Sequence, residues 1–148
     1  MYRYLTVKLD SRDDAEDVLQ EVFCRLAKYS FRLRFVRDLR AFAFRIARNE
    51  ACRFLQRKIH GEQAANPAAG FAESLRRSYS GPDRLSEDAV AAALARIPDE
   101  QREVIVLRIF EGLSFRKISA VSGQSINTVA SRYRYGIEKI RGLMEGGK

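Results

Sequence analysis

The side chains best suited to chemistry in this chain are those able to meet nucleic acid. In the run from Gly112 to Arg141, GLSFRKISAVSGQSINTVASRYRYGIEKIR, a short helix pattern ends at Ser122-Gly123 and a longer one opens at Ser125. Ser125, Asn127, Thr128, Ser131 and Arg132 cluster near the start of that second helix, with hydroxyl, amide and guanidinium groups of the kind that read base edges. Arg116, Lys117 and Arg134 are placed to meet phosphates. This is the build of a helix-turn-helix, which seats its second helix in the major groove. A solvated helical hairpin has the same amphipathic pattern, so this motif alone leaves both readings open.

A second group lies upstream. Residues 25–58 hold eleven bases against Asp38 and Glu50, a net +9, and Arg45, Arg48, Asn49, Arg53 and Arg57 fall on the outward side of a helix expected near Asp38–Lys58. The connection before it, residues 29–38, interleaves Tyr29, Phe31 and Phe35 with arginines. Rings accept unstacked bases while guanidinium groups hold the backbone; the same rings also serve as plugs for a helical core. A third group is acidic. Residues 10–21 carry six acids against Arg12, a net −5, and Asp17, Gln20 and Glu21 share one side of a helix expected near Asp14–Tyr29. Acids in a first helical turn also suit the positive end of the helix dipole, which accounts for Asp13, Asp14 and Glu16 without any partner. Opposite charge blocks side by side suggest one protein partner and one nucleic acid.

Amphipathic helices must position these groups. Ala15, Val18, Leu19, Val22, Phe23 and Leu26 recur at three- and four-residue steps. So do Phe42, Ile46, Phe54 and Leu55, and then Ile118, Val121, Ile126, Val129, Tyr133, Ile137 and Ile140. Gly123 suits the positive φ of a sharp turn between helices, and Ser125 is placed to cap the next. Between Gly61 and Arg84 the helical period is lost while Gly61, Pro67, Gly70, Gly81 and Pro82 gather, as in a linker. Within it Phe71, Leu75 and Tyr79 fit either a transient helix or a segment that orders on a partner. The expected fold class is all-α: a small N-terminal helical bundle (1–60) and a C-terminal helix-turn-helix domain (86–148), joined by a flexible linker (61–85).

Composition narrows the function classes. At 148 residues with 46% apolar content the chain can fill modest cores, and its net charge of +8 favours a polyanionic partner. No apolar run approaches the ~20 residues needed to span a bilayer, and MYRYLTVKLDS lacks a signal peptide's apolar core, so a cytoplasmic place is expected. Cys24, Cys52 and His60 cannot make a four-ligand zinc site, and both cysteines read as packing residues. No phosphate loop or nucleophile elbow is present, and a single histidine leaves little for base catalysis. No cofactor, no metal and no enzymatic activity are expected.

Three segments taken together, DAEDVLQEVFCRL (14–26), LRAFAFRIARNEACRFLQRK (39–58) and the run from Ile97 to Arg141, resemble in order and separation the conserved segments of extracytoplasmic-function sigma factors of bacterial RNA polymerase. The resemblance implies that Asp14, Asp17, Gln20 and Glu21 dock on the β′ clamp of core polymerase, with the β flap as a further contact. It implies that Phe31, Phe35, Arg45, Arg48, Asn49, Arg53 and Arg57 open and hold the −10 element of promoter DNA. It implies that Arg116, Lys117, Ser125, Asn127, Thr128, Ser131, Arg132 and Arg134 meet the −35 element. An anti-sigma factor is a further partner it suggests.

The chain also departs from the family pattern. Only nine residues, Met1–Leu9, precede the acid cluster, so the first helix is expected to be short. Phe42 stands where a tryptophan is common, and Gln124, Ala130 and Tyr135 replace more usual types near the recognition helix. Two rival functions share parts of this pattern: a helix-turn-helix regulator that works without polymerase, and a polymerase-binding module that has lost promoter opening.

Overall fold

The computed structural model describes residues 1–61 and 84–146, and among these every regular element is helical. Phe71, Leu75 and Tyr79 and nearly all of the expected linker lie outside the described residues. Helix α1 (Tyr2–Leu9) is short but central. Tyr4, Leu5, Thr6, Val7 and Leu9 are buried, and Asp10 closes the helix in the left-handed region, donating its N–H to the Thr6 carbonyl. The expected short first helix is therefore a packed element rather than a frayed end.

Helix α2 (Arg12–Lys28) starts because Ser11 accepts from the Asp14 N–H at 3.2 Å, and it buries Ala15, Val18 and Val22 at helical spacing. A 3₁₀ turn (Arg32–Phe35) leads to α3 (Leu39–Gly61), capped by Asp38, whose carboxylate accepts from the Ala41 N–H at 3.0 Å. The face of α3 differs from the one expected. Phe42, Ile46, Phe54 and Leu55 are half-buried, whereas Ala41, Ala43, Phe44, Ala47, Glu50 and Ala51 form the buried set. The cause is packing against several partners: α3 meets α1, α2 and a C-terminal helix, so its buried positions, four of them alanines, do not follow a single stripe.

Helix α4 (Arg84–Ala95) ends where the Arg102 guanidinium donates to the carbonyls of Leu94, Ala95 and Ile97, satisfying a helix C-terminus from outside the helix. Helix α5 (Asp99–Ile105) runs into a π turn, Val106–Phe110. Then come α6 (Phe115–Ser122) and α7 (Ile126–Glu145). Gly136 lets α7 lie against α5, since a Cβ there would stand 2.7 Å from Ile105 Cδ1. Ile126 departs from the expected stripe. At the first position of α7 it is 48% exposed, while Ile118, Val121 and Val129 are buried. The two halves are not held apart, because buried residues from Tyr4 through Val129 form one apolar cluster.

Candidate nucleic-acid interface

The helix-turn-helix is assembled by local chemistry. Ser114 caps α6 by accepting from the Lys117 N–H, Gly123 ends it at φ 74°, and Ser125 caps α7 by accepting from the Thr128 N–H at 3.1 Å. Ser119 secures the turn, its hydroxyl donating to the Gln124 carbonyl at 2.6 Å. This geometry leaves Arg116, Ser125, Asn127 and Arg134 exposed, with Thr128 and Ser131 half-exposed beside them. Arg134 lies over the Tyr135 ring, 5.1 Å from its centroid. Arg132 leans toward α5, where it pairs with Glu100 at 2.6 Å. Lys117 pairs across to Asp38 at 3.2 Å. The carboxyl of Asp38 lies below its ordinary range, first because it accepts from the Ala41 N–H and then because of this ammonium.

On α3 the outward basic residues divide. Arg45, Asn49 and Arg53 line a cleft of about 440 Å³ with Arg25, Tyr29, Arg32 and Phe42, and Tyr29 meets Phe42 edge to face. Beneath it Glu50 is buried and pairs with Arg25 at 3.1 Å and Arg53 at 3.0 Å, so those guanidinium groups are held at the cleft by a carboxylate. Phe31 and Phe35, on and beside the 3₁₀ turn, are 71% and 80% exposed, which overturns their reading as core plugs. None of the residues of their turn is buried, and Arg34 stands over Phe31 at 5.9 Å. Arg57 lines an adjoining groove with Asp17 and Glu21, and Arg25, Glu50 and Arg53 line both. Arg48 turns away from the cleft and reaches Glu103 on α5 at 3.1 Å.

The acidic helix presents Asp17, Gln20 and Glu21 to solvent, with Glu21 paired to Arg25 one turn on. Asp14 is occupied differently, since its backbone closes the Ser11 cap and its carboxylate holds Lys58 of α3 at 3.0 Å. Arg25, Arg32 and Glu50 were not singled out as site residues by pattern, whereas Tyr29 was, together with Phe31 and Phe35. The legible signal for Glu50 was its isolation among bases, three residues before Arg53.

Residues 1–59 match the family described as Sigma-70 region 2, and residues 87–140 match Sigma-70, region 4. The ECF RNA polymerase sigma factor ShbA of Streptomyces griseus is 32% identical, over 92% of this chain and 74% of its own length. This chain is a member of the ECF RNA polymerase sigma factors. The RNA polymerase sigma factor SigZ of Bacillus subtilis is 25% identical over 97% of this chain and 80% of its own length. Among solved structures, the sigma factor RpoE in complex with the anti-sigma factor NepR, from Bartonella quintana, superposes with a TM-score of 0.72 at 21% identity, covering 97% of this chain and 89% of that one. CnrH in complex with the cytosolic domain of CnrY gives 0.67 at 25% identity, covering 99% and 81%. As an ECF sigma factor the chain directs promoter recognition for transcription initiation. Among the described residues no helix is long and apolar enough to cross a membrane.

Proposed function

We infer that this sigma factor joins core RNA polymerase through the exposed acidic face of α2, where Asp17, Gln20 and Glu21 meet the β′ clamp, and that its C-terminal helices also contact the β flap. Residues 1–60 act at the −10 element, 86–148 read the −35 element, and 61–85 thread between them. The observation that carries this division is the pair of uncovered rings, Phe31 and Phe35, whose chain neighbours Arg32 and Val36 line the cleft with Arg45, Asn49 and Arg53. Exposed phenyl rings beside guanidinium groups suit an unstacked base whose backbone phosphates are held nearby. Opening a base pair costs a few kcal/mol, and stacking with phosphate contacts offsets it, so no nucleotide hydrolysis is required. Arg53 and Arg57 belong to this work.

At the −35 element Ser125, Asn127, Thr128 and Ser131 face the groove, Arg132 joins them on leaving Glu100, and Arg116, Lys117 and Arg134 lie on its phosphates. The protein is a binding subunit rather than an enzyme and acts in the cytoplasm, where polymerase and promoter lie. The complexes of RpoE with the anti-sigma factor NepR and of CnrH with the cytosolic domain of CnrY support an anti-sigma factor as a partner here too.

Capture of core polymerase tests the acidic face. Asp17→Arg with Glu21→Arg places like charge against a clamp surface that accepts acids, and should weaken capture on the order of tenfold or more. Unchanged capture by the folded double variant contradicts this assignment.

A further inference from the structure

Glu50 is the single acid of α3, and it is 4% exposed. A carboxylate in such a setting is costly unless paired. Its Oε1 meets Arg53 Nη1 at 3.0 Å and Arg25 Nε at 3.1 Å, so one oxygen ties a cation of α3 to a cation of α2. Glu21 also meets Arg25 at Nε, but it stands half-exposed, where an ion pair contributes little. The buried carboxylate is the firmer hold of the two.

A guanidinium group carries five N–H donors in a rigid fork. Among the described residues the carboxylates engage Arg25 at Nε and Arg53 at Nη1, which leaves the Nη2 edge of each fork for an acceptor from outside. Arg25, Glu50 and Arg53 line both the groove that holds Asp17 and the cleft that holds Arg45 and Asn49, so they form the ridge between the two. On the cleft side Glu50 is the one carboxylate among four guanidinium groups, those of Arg25, Arg32, Arg45 and Arg53. Such an excess takes an anion, and two forks fixed side by side suit the oxygens of a phosphodiester. An exposed arginine loses rotamer freedom when it grips a phosphate, and a carboxylate that has already fixed the side chain removes part of that cost.

We propose that Glu50 is a positioning residue for promoter opening, and that Arg25, held beside Arg53 by the same carboxylate, is a further contact to a phosphate of the unpaired strand. The proposal rests on the reading of the cleft as the −10 strand site. Glu50 subtracts charge from a site for an anion, so its contribution is placement: it sets two forks from different helices at a spacing that neither helix fixes alone. Arg25 thereby brings α2, the helix of the acidic face, onto the strand as well.

The test uses holoenzyme assembled from core polymerase and the full chain, with a fluorescein-labelled single-stranded DNA carrying the non-template sequence upstream of a transcript start mapped in vitro. Binding is titrated across a range of salt. Arg25→Gln should weaken it several-fold and reduce the log–log salt slope by roughly 0.7, the value of one single-strand phosphate contact. A slope equal to wild type overturns the contact.

Glu50→Gln separates placement from charge. It adds one net positive charge yet should still weaken strand binding several-fold; equal or tighter binding would mean that the carboxylate does not act by placement. Added to the double variant Arg25→Gln with Arg53→Gln, the same change should cost nothing more, because the groups it positions are gone. An equal loss in that background shows a purely structural role and overturns the proposal. Should Glu50→Gln not fold, Glu50→Asp, which keeps the charge and shortens its reach by one methylene, is read in the same two backgrounds. Wild-type holoenzyme that holds the strand no better than core polymerase alone strikes the promoter reading and this seat with it. Normal binding by wild type with unmoved variants strikes the seat alone.

Discussion

At the residue scale, Glu103 and Tyr4 tie stability to pH in opposite senses. Burial opposes the ionisation of Glu103, but Lys8, the Tyr4 hydroxyl and Arg48 outweigh that and hold its carboxyl below the ordinary value, so its contribution is present above about pH 4.3 and is lost as pH falls through the lower, folded value. Tyr4 is the reverse case. Burial and then the charge of Glu103 push its phenol well above its usual range, so its contribution is present below about pH 10 and is lost at higher pH. Thermal unfolding across pH should therefore show a plateau with both an acid and an alkaline limb. Glu103→Gln should flatten part of the acid limb and Tyr4→Phe part of the alkaline one; limbs identical to wild type in both variants contradict this account of the pair. Neither residue was legible as a site in the sequence. Glu103 is an acid beside an apolar run, and nothing local to it names Tyr4, which lies 99 positions earlier.

At the scale of elements, the helices with strong local signals were the readable ones. Gly123 and Ser125 specify the turn between α6 and α7 by chemistry confined to neighbouring residues, and the structure shows the positive φ and the cap at those positions. Helix α2 follows its three- and four-residue period at Ala15, Val18 and Val22, which are buried, but Phe23 of the same expected stripe is 59% exposed. Helix α3 misled because its apolar residues surround it. A search for one stripe finds Phe42, Ile46, Phe54 and Leu55, while packing against several partners buries the alanines and Phe44 instead. The exposure of Phe31 and Phe35 was also undecidable from sequence, since a ring serves a core or a base equally well until its neighbours are known.

The contact between α5 and α7 makes a prediction at the same scale. Gly136 is buried, and a Cβ there would meet Ile105 Cδ1 at 2.7 Å and Gln101 Cβ at 3.2 Å. Gly136→Val should force the two helices apart and destabilise the fold by about 1–3 kcal/mol, read as a lower denaturant midpoint. A midpoint equal to wild type would mean that α7 does not depend on this close approach.

At the scale of the whole molecule, charge and packing together make the argument. The sequence separates an acidic segment, a basic helix and a basic helix-turn-helix; in the fold the first two meet, since Asp17 and Glu21 of α2 share a groove with Arg53 and Arg57 of α3, while Arg45 and Asn49 line the neighbouring cleft and Asn127 and Arg134 stand exposed on α7. What patterning could not reveal is the seam between the halves. It is made by residues far apart in the chain, with Glu103 reaching α1 and α3 and Asp38 reaching α6, and hydrophobic period carries no information about such pairs.

The central claim is that this chain brings core RNA polymerase to promoters and opens them by binding energy alone. Mapping the transcript starts made in vitro by the purified protein with core polymerase and genomic DNA tests it most directly. The account predicts starts at a defined set of positions that share two upstream elements and vanish when the protein is omitted. Starts no different from those of core enzyme alone would contradict it.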